Sequence, residues 1–210
     1  MLKVTENHQP FESQVSIPEG GVTLSDLISQ INLEINKTGK VITSFKLNDI
    51  LYDANQIKAE VLVQDEERLD LFTNTPLNLS KKSINDILKQ IDTFVKEIDD
   101  IVSDLIKGDK NASFKKFTGF LTKFWEIIQL LQTIEVMFNL DYDQIKINDT
   151  TASEFSKNLV NVLTDVKASM ENEDMVTLTD ILEYEIKDIF SDSLKKFLIS
   201  ILEALQQKNG

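Results

Sequence analysis

The chain has 210 residues, a net charge of −13, one His and no Cys, and its length allows one large domain or two small ones. With Arg68 as its one arginine, it is poorly suited to nucleic acid or anionic membrane surfaces, because replacing condensed counterions on a polyanion needs clustered Lys and Arg. The absence of Cys excludes disulfides, thiolate nucleophiles and thiolate metal centres.

With 6 Gly and 3 Pro, long flexible linkers are not expected and extended helices are. The start, "MLKVTENHQP", lacks a charged-then-apolar secretory pattern, so the expected location is cytoplasmic. "FESQVSIPEG" alternates through Phe11, Val15 and Ile17 and stops at Pro18-Glu19-Gly20-Gly21, which predicts a strand and a turn. "TLSDLISQINLEINKTGK" places Leu24, Leu27, Ile28, Ile31 and Ile35 at helical spacing, with Thr23 or Ser25 as cap and Gly39 past the end. "VITSFKLNDILY" alternates through Val41, Thr43, Phe45 and Leu47 and turns at Asn48-Asp49. "ERLDLFT" alternates through Leu69 and Leu71. The economical reading is a small mixed β-sheet with one helix, β-grasp-like or split βαβ, over residues 1–75. That likeness is topological and carries no function.

"TNTPLNLSKKS" reads as a hinge, with Pro76 closing the β region and Ser80 or Ser83 able to cap a helix. From residue 76 to 210 the pattern becomes helical, and the fold class is α+β, the sheet being followed by a four- to five-helix bundle. Ile84, Leu88, Ile91, Val95, Ile98, Val102 and Leu105 form the first seam, ending at Gly108. The next helix, about residues 113–139, contains "KFWEIIQLLQTIEVMFNL". Phe117, Leu121, Phe124, Ile128, Leu131 and Phe138 share one seam, and Phe120, Ile127 and Ile134 widen it. A membrane span needs about 20 mostly apolar residues. Lys123, Glu126 and Glu135 interrupt this stretch, and its polar residues line one narrow face, as in a helix surrounded by others. "DYDQIKINDTT" reads as a loop before a third helix using Phe155, Leu159, Val162, Val166 and Met170. A fourth begins near Met175 with Leu178, Leu182, Ile186 and Ile189. Its seam then jumps five residues to Leu194 before Leu198, Ile201 and Leu205. That jump breaks the heptad phase and predicts a kink or division near Ser191-Asp192-Ser193.

Few residues carry chemistry. The one histidine, His8, rules out the Glu-x-x-His pairs of a di-iron bundle and leaves a Ser-His pair without a positioned base. "DYDQIKINDTTA" and "NEDMVTLTDILE" both lack the central Gly of a calcium-binding EF-hand loop. No Gly-rich phosphate loop is present. No catalytic, cofactor-binding or metal-ligating residue is assigned, and no cofactor is expected. Glu97, Asp100 and Asp104, and likewise Asp180, Glu183 and Asp188, read as solvated acidic faces.

Two carboxylates stand out. Glu135 falls in the seam between Leu131 and Phe138, and Glu185 falls between Leu182 and Ile189. Each would need a partner or a raised pKa if buried, and each marks a candidate polar core or groove position unless the helix rotates to put Ile134 or Ile186 inward. Trp125, at the bundle margin, and Phe190, Phe197 and Leu198, on a protruding last helix, are the candidate partner contacts.

"ENEDMVTLTDILEYEIKD" resembles a stretch in uncharacterised proteins of low-GC Gram-positive bacteria. The preference for Lys, Asn and Ile over Arg and Ala points the same way. The resemblance implies no activity. The sequence therefore reads as a non-enzymatic cytoplasmic interaction protein that binds another protein or itself, with neither nucleic acid nor membrane as partner. An acidic assembly or secretion chaperone and a carboxylate-based enzyme are the alternatives.

Overall fold

The computed structural model describes residues 2–54 and 61–208. The chain divides into two units, Met1–Leu79 and Ser80–Gly210, and the architecture is α+β.

In the first unit a five-stranded sheet runs β2-β1-β7-β4-β5. Its strands are β1 (Lys3–Glu6), β2 (Gln9–Pro10), β4 (Val41–Leu47), β5 (Ile50–Asp53) and β7 (Arg68–Asn74). β1 lies parallel to β7, and the other pairings are antiparallel. Helix α1 (Leu24–Asn36) connects the two hairpins. This is the β-grasp arrangement, the first of the two expected topologies. A separate short ladder pairs β3 (Val22–Thr23) with β6 (Leu62–Val63).

Local chemistry accounts for the two hairpin turns of the sheet and for the start of α1. Asn7 and His8, and again Asn48 and Asp49, hold positive φ, as two-residue hairpin turns of type I′ require. Thr23 caps α1 by accepting from the Asp26 N–H at 3.1 Å. The five apolar residues predicted to face inward from α1 are the five that are buried. They pack with Val4, Ile42, Phe45, Leu47, Val63, Leu69 and Leu71 in one core. Gly21 is required, since its φ is +80° and a Cβ there would meet the Val63 carbonyl oxygen at 3.0 Å.

Two strand expectations need correction. The first strand is Lys3–Glu6, and the alternating stretch 11–17 forms no strand. Phe11, Val15 and Ile17 instead pack half-buried against the core. In β4, a bulge between Ile42 and Ser44 shifts the register, so Ile42 turns inward in place of Val41 and Thr43.

The second unit holds four long helical stretches. α2 (Pro76–Ile106) begins at Pro76 itself, not beyond it. Proline suits the first helical position, where its missing N–H is unneeded, and Thr75 Oγ1 accepts from the Asn78 N–H at 3.2 Å. α3 (Lys110–Met137) is capped by Asp109. A short hairpin of β8 (Lys146–Ile147) and β9 (Thr150–Thr151), not expected from the sequence, leads into α4 (Ala152–Glu171). Thr151 and Glu154 form a reciprocal capping box there. The last stretch comprises α5 (Met175–Asp180), π-helical segments at Ile181–Ile186 and Ile189–Ser193, and α6 (Leu194–Gln207).

That last helix is continuous, so the expected division near Asp192 does not occur. Ser193 keeps helical angles, φ −65° and ψ −44°, and caps nothing. The five-residue jump in the seam is absorbed by backbone bonds that also span five residues. The Lys187 N–H donates to Leu182 O and the Leu194 N–H to Ile189 O. A π-turn takes up one extra residue without breaking the helix.

Ion pairs mark the helix order that the buried seams hold together. Lys123–Glu97 and Lys116–Asp104, both 2.6 Å, tie α3 antiparallel to α2, and Lys187–Asp99 at 2.5 Å ties the last helix to α2. Lys208 donates to the carbonyls of Phe138, at 2.7 Å, and Asn139, where a cation meets the negative end of α3. The result is an up-down-up-down bundle.

Candidate functional site

A groove of about 320 Å³ opens between α3 and α4. Its apolar floor includes Ile128, Leu131, Leu159 and Val160, and its rim includes Gln132, Glu135, Ser153, Ser156, Lys157 and Asn161. The floor residues Ile128, Leu131 and Leu159 are buried core side chains whose edges the groove exposes, while Val160 is 46% exposed. Tyr142, on the loop after α3, also lines it. Its ring stands edge-on to Phe197, with centroids 5.8 Å apart. Its hydroxyl donates to the Leu131 carbonyl at 2.8 Å. Burial and the nearby Glu135 carboxylate push that phenol well above the usual tyrosine range.

Glu135 is the chemically distinctive member. Ile134, 1% exposed, takes the core position, and Glu135 is rotated to the groove, half-buried. Burial, and then the like charge of Asp143, raise its carboxyl above the ordinary glutamate value. Among the described residues its carboxylate accepts no hydrogen bond and makes no ion pair, and Tyr142 has already committed its proton to Leu131. Elsewhere on the bundle Glu97, Asp99 and Asp104 each hold a lysine.

The other nominated residues fall differently. Glu185 is exposed, because the π-turns leave Ile186 fully buried in its place, so it marks no polar core or groove. Phe190, Phe197 and Leu198 are fully buried, so they form no exposed strip. The π-turns aim Phe190 into a cluster with Phe94, Phe120 and Phe124, at centroid distances of 5.2, 5.4 and 5.0 Å. Phe197 packs on Phe155 at 4.9 Å. Trp125 is 52% exposed and does not line the groove.

Lys157, Gln132, Asn161, Ser153 and Ser156 escaped the sequence reading. The exposed face of α4 carries no periodic signal that separates a rim from ordinary solvated surface. His8, in the β1–β2 turn, is exposed and lies edge-on to Phe72 at 5.5 Å. No described helix is long and apolar enough to cross a membrane.

Residues 82–196, more than half of the chain, match the family model described as "Domain of unknown function (DUF8042)". The chain belongs to this family. The matched segment contains every residue of the groove, and the β-grasp unit lies outside it. Over 129 residues, 60% of this chain, the sequence is also 28% identical to an uncharacterized protein of Plasmodium falciparum (isolate 3D7), where the match spans 6% of that protein's length. No solved structure matches. The family is uncharacterised, as the resemblance at Glu171–Asp188 implies, while a low-GC Gram-positive origin finds no support in these matches.

Proposed function

We propose that the chain is a non-enzymatic, cytoplasmic interaction protein whose DUF8042 segment receives a partner protein in the α3–α4 groove. One observation carries this reading: a half-buried carboxylate with no partner among the described residues, Glu135, stands at the rim of an apolar groove. A carboxylate left in that state costs stability, which a partner supplying the missing contact would recover. The groove also holds Ser153, Ser156 and Lys157. Among the described residues none of these is hydrogen-bonded to another or to Glu135. A nucleophile or acid–base pair needs that geometry first, so the binding reading is favoured over the carboxylate-enzyme alternative.

The test is a photo-reactive residue at Val160 in the full chain, expressed in its native cells. A discrete heteromeric adduct is expected, lost when Ser156→Trp fills the groove and retained in Trp125→Ala. Equal adducts from a control position at Val176, which is 74% exposed, or no adduct at all, would overturn the reading. So would a turnover activity that Glu135→Gln abolishes.

A further inference from the structure

The contents of the α3–α4 groove narrow the chemistry of its occupant. Its volume of about 320 Å³ sits at the low end of ligand pockets, roughly 300–1,000 Å³. That leaves room for one long side chain but not for a whole helix. The floor of Ile128, Leu131, Leu159 and Val160 favours an aliphatic stem. The rim position Glu135 favours a cation, and three alternatives fail at this point.

An anionic group would meet the like charge of Glu135 at the rim. A purely apolar group would finish burying Glu135 unpaired, the costly case. A second copy of this chain would bring another net charge of −13 against the first. Lys157 also lines the groove, but among the described residues it makes no ion pair or hydrogen bond with Glu135, so the carboxylate is left for an incoming cation.

Resting on the reading of this groove as an interaction site, we infer that it takes a lysine or arginine side chain from a basic partner protein. The alkyl stem lies over Ile128, Leu131, Leu159 and Val160, and the cationic head meets Glu135. Long basic side chains combine these two surfaces, burying the stem while the charged end keeps a polar contact. The contact is charge-assisted, at the edge of a partly desolvated site, where such pairs count for more than on open surface.

The probe is a short synthetic helical peptide with one lysine flanked by leucines and otherwise uncharged. It is compared with the same peptide carrying norleucine for that lysine. Both are titrated into the full chain while amide NMR shifts are followed at Leu131, Glu135, Ser156 and Val160. The lysine peptide is expected to bind about tenfold more tightly, a factor typical of one good charged contact. Glu135→Gln should erase the difference, and Glu185→Gln, on exposed surface, should preserve it. Circular dichroism confirms that both variants fold.

Equal binding of the two peptides, no shift in the groove with either, or equal affinity for free n-butylamine would overturn the inference. If the Val160 adduct forms specifically while the lysine peptide shows no advantage, the interaction reading stands and the basic side chain is rejected. If the groove-specific adduct is also missing, both fail.

Discussion

The Leu194 N–H donates to the carbonyl of Ile189, five residues back, and this bond puts both side chains in the same buried seam. An α-turn would have brought residue 193 to that position. The π-turn therefore holds one residue more than regular helical geometry needs. Deleting exposed Asp192 should let the turn close as an α-turn, leaving the phase of Phe197, Leu198 and Ile201 unchanged. Deleting exposed Asn158 from regular α4 should instead rotate Leu159, Val162 and Val166 about 100° away from the core. Thermal unfolding by circular dichroism should show the first variant still cooperative, within a few degrees of the parent, and the second largely unfolded. Equal damage from the two deletions would contradict this account.

Phe190 touches three other rings on α2 and α3 and is fully buried. Phe190→Ala should cost about 3–5 kcal/mol, the usual range for removing a buried aromatic side chain. Trp125→Ala, at a half-exposed position, should stay within about 0.5 kcal/mol. Urea denaturation of the two variants measures both values. A Phe190→Ala loss below about 1 kcal/mol would mean that the ring cluster is not a cohesive core.

How far the sequence could be read depended on whether a local period decided the outcome. α1 was fully legible, down to its buried residues, because Leu24, Leu27, Ile28, Ile31 and Ile35 repeat at a spacing that only a helix satisfies. β1 was missed because "KVTE" offers one buried residue, Val4, and owes its place to parallel pairing with β7, more than sixty positions away. Phe190, Phe197 and Leu198 are buried and not an exposed strip, because the last helix packs along its neighbours and does not outrun them, which no local period reports. The π-turns do leave a mark, the five-residue jump in the seam. Glu135 draws notice in the sequence as a carboxylate in an apolar seam, but the seam position belongs to Ile134 and Glu135 turns to the groove. Its groove was not legible, since that depends on where the 138–151 loop and α4 return against α3.

Asp70 is 4% exposed and accepts from Thr5 Oγ1 at 2.7 Å and from Arg68 Nε at 3.1 Å. Burial works to raise its carboxyl, but the hydrogen bonds from Thr5 and Arg68, with the charges of Arg68 and His8, outweigh it and hold the group low. A lowered carboxylate stabilises the fold above its unfolded value of 3.8, and that contribution is lost as pH falls through the folded value. Asp70→Asn should therefore destabilise the β-grasp unit by about 1–3 kcal/mol at neutral pH, the range for breaking charged hydrogen bonds. The deficit should shrink in acid. Hydrogen exchange at the Leu69 and Leu71 amides reports it, and a deficit independent of pH would remove the charge from the explanation.

Glu135 should show the opposite sign. Its carboxyl is raised by burial and by Asp143, so the folded state holds the proton more tightly than the unfolded chain. Stability from this group is full below the unfolded value of 4.5 and is lost as pH rises through the folded value. Glu135→Gln keeps the shape and removes the charge, so it should raise the melting temperature at pH 7. Because the side chain is only half-buried, solvent screens the penalty. The gain should be under about 1 kcal/mol, or at most roughly 2–4 °C for a chain of this size. The two proteins should converge below about pH 4, where both positions are neutral. Glu135→Leu should also melt higher at pH 7, yet it should lose the lysine-peptide preference along with Glu135→Gln. A variant that melts lower at pH 7 would mean that Glu135 already has a stabilising partner within the chain, and the groove would then have no charge left to offer.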